Sequence, residues 1–263
     1  MPTKQQEYRA FCTSNGSGGN CHNVVFTTED TPPHLDPNGK WVVATQARHN
    51  KNNYTDANAD TNIVVSHFDR NHKVKRCGSG SIALARALQQ KLGHNFACNI
   101  ETDSGPLMIG CDTTGPYYID QPLSISPAKH PKFWSWVVPA PIIDSRYCGG
   151  PQEYCLIQLT HNTNLRTIQP FARRLTALSG RALILVVGNT QHPNMRYFAP
   201  QYGVGEDTAT GSAAVQVANF YWQKYRFKQL YIEQQSPQGG LIHTQRLNSH
   251  RIKVRGNCIR DVH

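Results

Sequence analysis

The residues best suited to do chemistry lie in two short segments that resemble each other. Cys77–Ser81 and Thr210–Ala213 each open with a small polar residue followed by a Gly-Ser pair, and each then continues into an apolar run of helical length. A helix that starts there leaves its first backbone N–H groups without intrahelical acceptors, and it places the positive end of its dipole at the same point. Two such helix starts that meet at a domain interface would form a small-anion pocket, which is what the pattern predicts.

The two segments are separated by about half of the 263 residues, which predicts an internal duplication. We expect two similar domains, residues 1–120 and 121–263, with central helices over 79–92 and 212–226 and a boundary in the proline-rich stretch 121–141. Both helices are apolar on nearly every side and must be enclosed. The sequence thus predicts an α+β fold in which a curved sheet or barrel wraps each central helix. The sequence leaves open whether an N-terminal strand or the C-terminal tail crosses over from one half to the other.

Local patterns predict the other elements. Residues 8–12 and 22–28 are predicted strands on either side of a glycine loop. Residues 61–68 are rich in β-branched side chains and are predicted to form another strand. Residues 39–50 have helical spacing after the turn signal Pro37-Asn38-Gly39, and a second helix is expected over 168–178.

Composition limits the classes of protein and partner. The formal net charge is +10 and the pI is near 9.3, yet no five basic residues are consecutive. The densest cluster, residues 72–76, precedes Cys77; it either draws an acidic small molecule to that helix start or is simply a solvated face. Nucleic-acid binding ranks last, because net charge is its only support.

Cysteines, histidines and apolar runs bear on compartment and cofactors. The eight cysteines are scattered without a CxxC, which favours reduced thiols in a cytoplasmic protein. No His/Cys/carboxylate set has zinc spacing, and no nucleotide, flavin or pyridoxal motif is visible, so we expect no metal and no cofactor. No apolar stretch approaches 18 residues, and the N-terminus lacks a signal-peptide core, so we expect neither a membrane span nor export.

One longer motif resembles a known family. Arg196–Pro200 followed by Gly205–Ala213 is similar to the Phe-Ala-Pro and Glu-Asp-Pro-Ala-Thr-Gly-Ser-Ala signature of the PhzF-type isomerases of phenazine biosynthesis, with Thr208 in place of proline. Weaker matches are Gly18-Gly19-Asn20, Ile232–Gln234 and Val254–Gly256, with residues 77–81 where the family has Gly-His-Ala-Thr. The resemblance implies the two-domain fold of the diaminopimelate epimerases, with an active site in the cleft between the domains.

The resemblance also implies a function and a set of site residues. It points to a cofactor-independent isomerase that moves a proton between carbons of a small carboxylate-bearing metabolite. Asp60 takes the place of the family's catalytic glutamate, and Asp207 matches its second functional carboxylate. Cys77 is the third candidate catalytic residue. The candidate substrate-binding residues are Asn20, Gly78, Ser79, Glu206, Gly211 and Ser212.

Two other functions stay open. The diaminopimelate epimerases use one cysteine per half; Cys77 matches the first, but the second falls on Thr210, whose hydroxyl is too weak an acid to carry a proton both ways near pH 7. An amino-acid racemase or epimerase would therefore need Cys77 with a non-thiol partner such as Asp60 or Asp207. Aspartate at position 60 and serine at position 79, where the family has glutamate and histidine, leave room for a non-catalytic anion-binding protein. Asp60 is otherwise an ordinary turn or N-cap aspartate. Dimerisation is common in this fold, and a homodimer stays open.

Overall fold

The protein is described from a computed structural model that covers residues 5–27, 39–46, 63–69, 72–75, 77–128 and 131–261. The chain divides into two compact units. The first unit is Met1–Asp120 with Lys253–His263, and the second unit is Gln121–Ile252. The last eleven residues therefore belong with the N-terminal half of the chain.

The described residues form the following strands and helices, in chain order. The strands are β1 Gln6–Cys12, β2 Asn20–Thr27, β3 Lys40–Gln46, β4 Ile63–Asp69, β5 His72–Val74, β6 Phe96–Thr102, β7 Gly105–Asp112, β8 Gly115–Asp120, β9 Ile125–Pro127, β10 Ile142–Cys148, β11 Tyr154–Leu159, β12 Ala182–Val187, β13 Asn194–Phe198, β14 Gln229–Gln234, β15 Gly240–Arg246, β16 Ile252–Arg255 and β17 Asn257–Arg260. The α-helices are α1 Gly78–Leu92, α2 Pro131–Val137, α3 Ala172–Leu178 and α4 Gly211–Tyr225.

The two units repeat one pattern of strand pairing. In the first unit β1–β2 is antiparallel, β2–β3 parallel, β3–β4 antiparallel, β4–β6 parallel and β6–β7 antiparallel. In the second unit β10–β11, β11–β12, β12–β13, β13–β14 and β14–β15 follow the same alternation. The long helix precedes the second parallel pairing in both, as α1 before β6 and α4 before β14. The duplication first seen in the sequence thus extends to the topology.

Each unit encloses its long helix. Every residue of α1 from Gly78 to Ala85 is buried, and the helix ends at Gly93, whose left-handed φ of 77° suits a residue without a Cβ. In α4 the residues from Ala213 to Tyr221 are all buried. The predicted ranges 79–92 and 212–226 agree with these helices to within one residue, and the all-round apolar character of both is explained by their enclosure.

The second unit has an additional apolar layer on its sheet. β12 is buried along its whole length, because it packs on both faces. Leu183, Leu185 and Val187 join a cluster with Trp134 of α2 and Leu175 of α3. Strand alternation turns Ile184 and Val186 to the opposite face.

Three local predictions differ from the structure. The helix expected over 39–50 is wrong: residues 40–46 form β3, which lies between β2 and β4. The helix expected over 168–178 is shorter, since α3 begins only at Ala172, after Pro170. The boundary stretch 121–141 contains β9 and α2. Among the described residues, no helix is both long and apolar enough to cross a membrane.

Candidate functional site

The start of α1 is built around the sulfur of Cys77. Cys77 is the N-cap residue, in an extended conformation, and its half-buried side chain accepts the N–H of Gly80 at 3.4 Å. Its carbonyl oxygen accepts both the N–H and the hydroxyl of Ser81, each at 2.9 Å. The thiol thus occupies the capping position that serine, threonine or aspartate usually fills.

Ser79 connects Cys77 to two side chains of β2. The Ser79 hydroxyl lies 3.5 Å from Cys77 Sγ, 3.2 Å from Asn20 Nδ2 and 2.8 Å from His22 Nε2. Asn20, His22 and Ser79 are at most 4 % exposed. Asn20 and His22 are neighbours on one face of β2 because side chains alternate along a strand. The structure therefore brings together the predicted residues Asn20, Cys77, Gly78 and Ser79, and it adds His22.

A second histidine, His67, lies on the same sheet face. His67 pairs with Val42 of β3, and Val42 pairs with Val24 of β2, so these residues form a row beside His22. His67 is 2 % exposed, and neither of its ring nitrogens has a hydrogen-bond partner within the described part of the chain. A Cβ added at Gly80 would stand 2.8 Å from His67 Cδ2, so the ring edge lies against the first turn of α1.

Burial keeps both histidines neutral. It lowers the pKa of His22 well below the usual value, and the positive charge of Lys40 lowers it further. Burial also lowers the pKa of His67 to about 4, although the carboxylate of Asp103 acts in the opposite direction. The polar groups behind Cys77 are therefore hydrogen-bonding groups and not cations near neutral pH.

The described residues do not include every feature that the sequence predicts for the first unit. Asp60 and the whole segment 47–62 lie outside the described residues, and so does Arg76. Lys73 of the basic cluster contacts Asp103 at 2.9 Å, with side chains 50 % and 36 % exposed. Exposed ion pairs of this kind contribute little stability.

The start of α4 is organised around a carboxylate. The N-cap residue Thr210 donates its hydroxyl to Asp207 Oδ2 at 2.7 Å. Gln234, fully buried on β14, accepts the backbone N–H of Thr210 at 2.7 Å and donates to the carbonyl of Asp207 at 2.6 Å. Gly211 and Ser212 form the first helical turn, where backbone N–H groups have no intrahelical acceptor. The structure thus places Asp207, Gly211 and Ser212 together.

Glu206 has a different environment from its neighbour Asp207. Both of its carboxylate oxygens are bound by Arg196, at 2.6 and 2.7 Å. Arg196 is 3 % exposed and also donates to the carbonyl oxygens of Leu165 and Ile168. This bidentate contact leaves Glu206 to hold the loop before α4, whereas the carboxylate of Asp207 accepts the hydroxyl of Thr210.

The sequence prediction did not include His22, His67, Arg196 or Gln234. For His22 a signal was available: it follows Asn20 by two positions in a predicted strand and therefore shares its face. Arg196 and Gln234 lie in two of the segments that resemble the family, but their roles, like that of His67, depend on contacts that those patterns do not show.

One group of potential metal ligands lies close together among the described residues. Single ligand atoms of Glu7, Cys21 and Asp261 are within 4.8 Å of one another. However, Arg9 binds Asp261 at 2.9 Å, and burial raises the pKa of the Cys21 thiol. A neutral thiol beside an ion pair is a poor ligand set for a cation.

Solved structures share this fold at low sequence identity. A PhzF family protein of Enterococcus faecalis superposes with a TM-score of 0.80 at 16 % identity, over 98 % of both chains. A probable proline racemase of Agrobacterium radiobacter, with bound carbonate, superposes with a TM-score of 0.57 at 9 % identity, over 97 % of this chain and 90 % of that one. These similarities confirm the predicted α+β fold of the epimerase type.

Sequence comparison gives the family. An uncharacterised isomerase of Pseudomonas aeruginosa is 29 % identical over 111 residues, and the matched segment spans 42 % of each chain. The family model described as phenazine biosynthesis-like protein, PhzC-PhzF, matches residues 8–262, nearly the entire sequence. The chain belongs to the PhzC-PhzF family of phenazine biosynthesis-like proteins.

Proposed function

We propose that this protein is a cofactor-independent isomerase that moves a proton between carbons of a small carboxylate-bearing metabolite. Family membership supports the proposal, as does the name of the Pseudomonas relative, an uncharacterised isomerase. The observation on which it chiefly depends is that each unit has a group able to accept a proton at the start of its buried helix. That group is the Cys77 thiol in one unit and the Asp207 carboxylate in the other.

The surroundings of these groups suit an anionic substrate. The first turns of α1 and α4 present backbone N–H groups and the positive ends of the helix dipoles, which favour a carboxylate. Gly78, Ser79, Gly211 and Ser212 are small enough for a ligand to approach the backbone closely, and Asn20 adds an amide. Removing a proton from a carbon next to a carboxylate creates negative charge, which the same donors would stabilise as it develops.

Asp60 is retained in the proposal on the resemblance alone, as the carboxylate that shuttles the proton. The alternative is a racemase or epimerase in which Cys77 is the principal base. The specific observation in favour of the alternative is that Cys77 Sγ lies within hydrogen-bonding distance of both the Gly80 N–H and the Ser79 hydroxyl. In that alternative the non-thiol partner would be Asp207, whose carboxylate accepts the hydroxyl of Thr210.

Exchange of substrate protons with D₂O, followed by NMR over a panel of amino acids and cyclic carboxylic acids, tests the proposal. The wild type is compared with Asp60→Asn, Asp207→Asn and Cys77→Ala, with Cys98→Ala as the control for loss of another half-buried thiol. Exchange that is abolished in Asp60→Asn and kept in Cys77→Ala supports the isomerase with an aspartate shuttle. Loss in Cys77→Ala alone supports the racemase. Absence of exchange in the wild type contradicts both and leaves a non-catalytic anion-binding protein.

The proposed partner is a small anionic metabolite, with neither nucleic acid nor membrane involved, and a homodimer remains open. We further propose a cytoplasmic location. All eight cysteines are free thiols in the structure, which is the usual state in a reducing compartment.

A further inference from the structure

The buried polar residues behind Cys77 form a connected chain. Ser79 Oγ is within hydrogen-bonding distance of Asn20 Nδ2, His22 Nε2 and Cys77 Sγ. Asn20, His22 and Ser79 are nearly inaccessible to solvent. Their polar atoms therefore need hydrogen-bond partners inside the protein. The direction of each hydrogen bond then follows from counting donors and acceptors.

Asn20 and His22 both donate to Ser79. A hydroxyl has one proton to give and two lone pairs to accept with. The amide nitrogen of Asn20 can only donate. The neutral ring of His22 has one N–H, and Nδ1 has no partner among the described residues. A buried N–H without an acceptor is rarer than an unused acceptor, so we place the proton on Nε2, where it is donated to Ser79.

The hydroxyl proton of Ser79 therefore points to sulfur. Both lone pairs of Ser79 Oγ are used, and Cys77 Sγ is the remaining neighbour, at 3.5 Å. The Gly80 N–H donates to the same sulfur at 3.4 Å. A Cβ at position 80 would stand 3.3 Å from Sγ and 2.8 Å from His67, so glycine permits this close approach. Two donors and a helix N-terminus at one sulfur favour the thiolate over the thiol.

An independent observation is that a second polar side chain beside the same turn has no partner for its nitrogens among the described residues. The ring of His67 is buried against the first turn of α1, with both nitrogens lacking partners within the described residues. An unsatisfied buried ring costs free energy, which a ligand with polar atoms would recover. The other charged groups around the cluster are Lys40 on β3, Asp103 in the turn after β6, and Lys73 paired with it.

We propose that Asn20, His22 and Ser79 are positioning residues whose donor chain holds Cys77 as a thiolate, ready to take a proton from substrate carbon. In that step the sulfur accepts the proton and becomes S–H, the C–H electron pair stays on the substrate as a carboxylate-stabilised carbanion, and S–H later returns the proton. Only this chemical step depends on a function proposed above, namely the racemase or epimerase alternative in which Cys77 is the principal base. The thiolate itself can be measured without any substrate.

The test is the pH dependence of iodoacetamide alkylation of Cys77, measured by peptide mass spectrometry with Cys98 in the same sample as internal reference. We expect the alkylation midpoint of Cys77 to lie below that of Cys98. Ser79→Ala should raise the midpoint by about one pH unit, which slows alkylation at neutral pH about tenfold. Ser81→Ala is the matched control, because its hydroxyl lies in the same turn but donates to the Cys77 carbonyl, and we expect no shift. His22→Gln, which keeps an N–H, should shift the midpoint less than His22→Leu.

Each result decides between the proposal and its negation. Equal midpoints in wild-type Cys77 and Cys98, or equal shifts in Ser79→Ala and Ser81→Ala, would overturn it; circular dichroism confirms that the variants fold. A depressed midpoint that depends on Ser79, together with no D₂O exchange on any substrate, would keep the donor chain and reject both proposed enzyme activities.

Discussion

The contact between Arg196 and Glu206 gives the clearest energetic prediction. Arg196 is almost fully buried and Glu206 is 17 % exposed, and the two form a bidentate ion pair. Removing one partner of a buried pair costs about 3–5 kcal/mol, because the other charge stays desolvated. In Glu206→Gln one amide oxygen still accepts from Arg196, while the amide NH₂ faces a second donor. We therefore expect the free energy of unfolding of the second unit to fall by about 2–4 kcal/mol.

An exposed ion pair of the same unit provides the matched control. Arg166 and Glu233 are 3.0 Å apart, with side chains 56 % and 45 % exposed. Glu233→Gln should cost no more than about 1 kcal/mol, since exposed pairs are screened by water and salt. Both substitutions remove one carboxylate charge, so their difference isolates the effect of burial.

Urea unfolding followed by tryptophan fluorescence measures the effect, because three of the four tryptophans lie in the second unit: Trp134, Trp136 and Trp222. Equal destabilisation by the two substitutions would refute the reasoning. It would mean that the carboxylate of Glu206 does not hold the loop before α4, and the prediction that Glu206 contacts substrate would gain weight. The expected large difference, in contrast, assigns Glu206 to the support of Asp207.

Two further predictions concern buried polar side chains. Burial lowers the pKa of His67 in the folded protein to about 4, against 6.5 for an unperturbed histidine. The unfolded chain therefore binds the proton first, and stability is lost as pH falls from about 6.5 to about 4. His67→Gln should flatten the pH dependence of the free energy of unfolding by about 3 kcal/mol over that window; an unchanged profile would contradict the buried neutral ring. Gln234→Leu should destabilise the second unit by about 2–4 kcal/mol, because it removes the side-chain partner of the Thr210 N–H and of the Asp207 carbonyl. Replacing the exposed Gln229 by Leu should cost less than about 0.5 kcal/mol. Urea unfolding measures both.

The central helices could be predicted from the sequence because their signals are local and agree with one another. In α1 a capping residue, small residues and an apolar run are followed by Gly93, and every one of these features has its expected place in the structure. α4 shows the same combination without a terminal glycine, and Arg226 adopts the left-handed conformation there instead. Enclosure of both helices followed from their apolar surface alone.

β3 could not be predicted in the same way. Trp41, Val42, Val43 and Ala44 are all buried, so the strand shows no alternation. A short, continuous apolar run fits a buried strand and a buried helix equally well, and only the pairing with β2 and β4 decides. The preceding turn signal therefore favoured the wrong element.

The histidines of the candidate site show the same limit at the level of chemistry. His22 and Ser79 are 57 residues apart in sequence, and their contact exists only because β2 lies beside the start of α1. Ser79 stands where the family has histidine, and a serine cannot titrate near neutral pH. Instead, a histidine from a neighbouring strand reaches the serine hydroxyl, so an imidazole is present by a different route.

The duplicated helix starts use the same backbone position in opposite ways. At α1 the N-cap side chain, Cys77, accepts the backbone N–H of Gly80. In the proposed donor chain it also accepts the hydroxyl of Ser79. At α4 the N-cap side chain, Thr210, donates its hydroxyl to Asp207. A threonine hydroxyl that already donates to a carboxylate stabilises that carboxylate and does not itself act as an acid or a base. In the second unit the hydrogen-bond acceptor at the helix start is therefore a carboxylate three residues before the N-cap and not the N-cap side chain itself. The two helix starts are thus chemically unequal, although the two units share one topology.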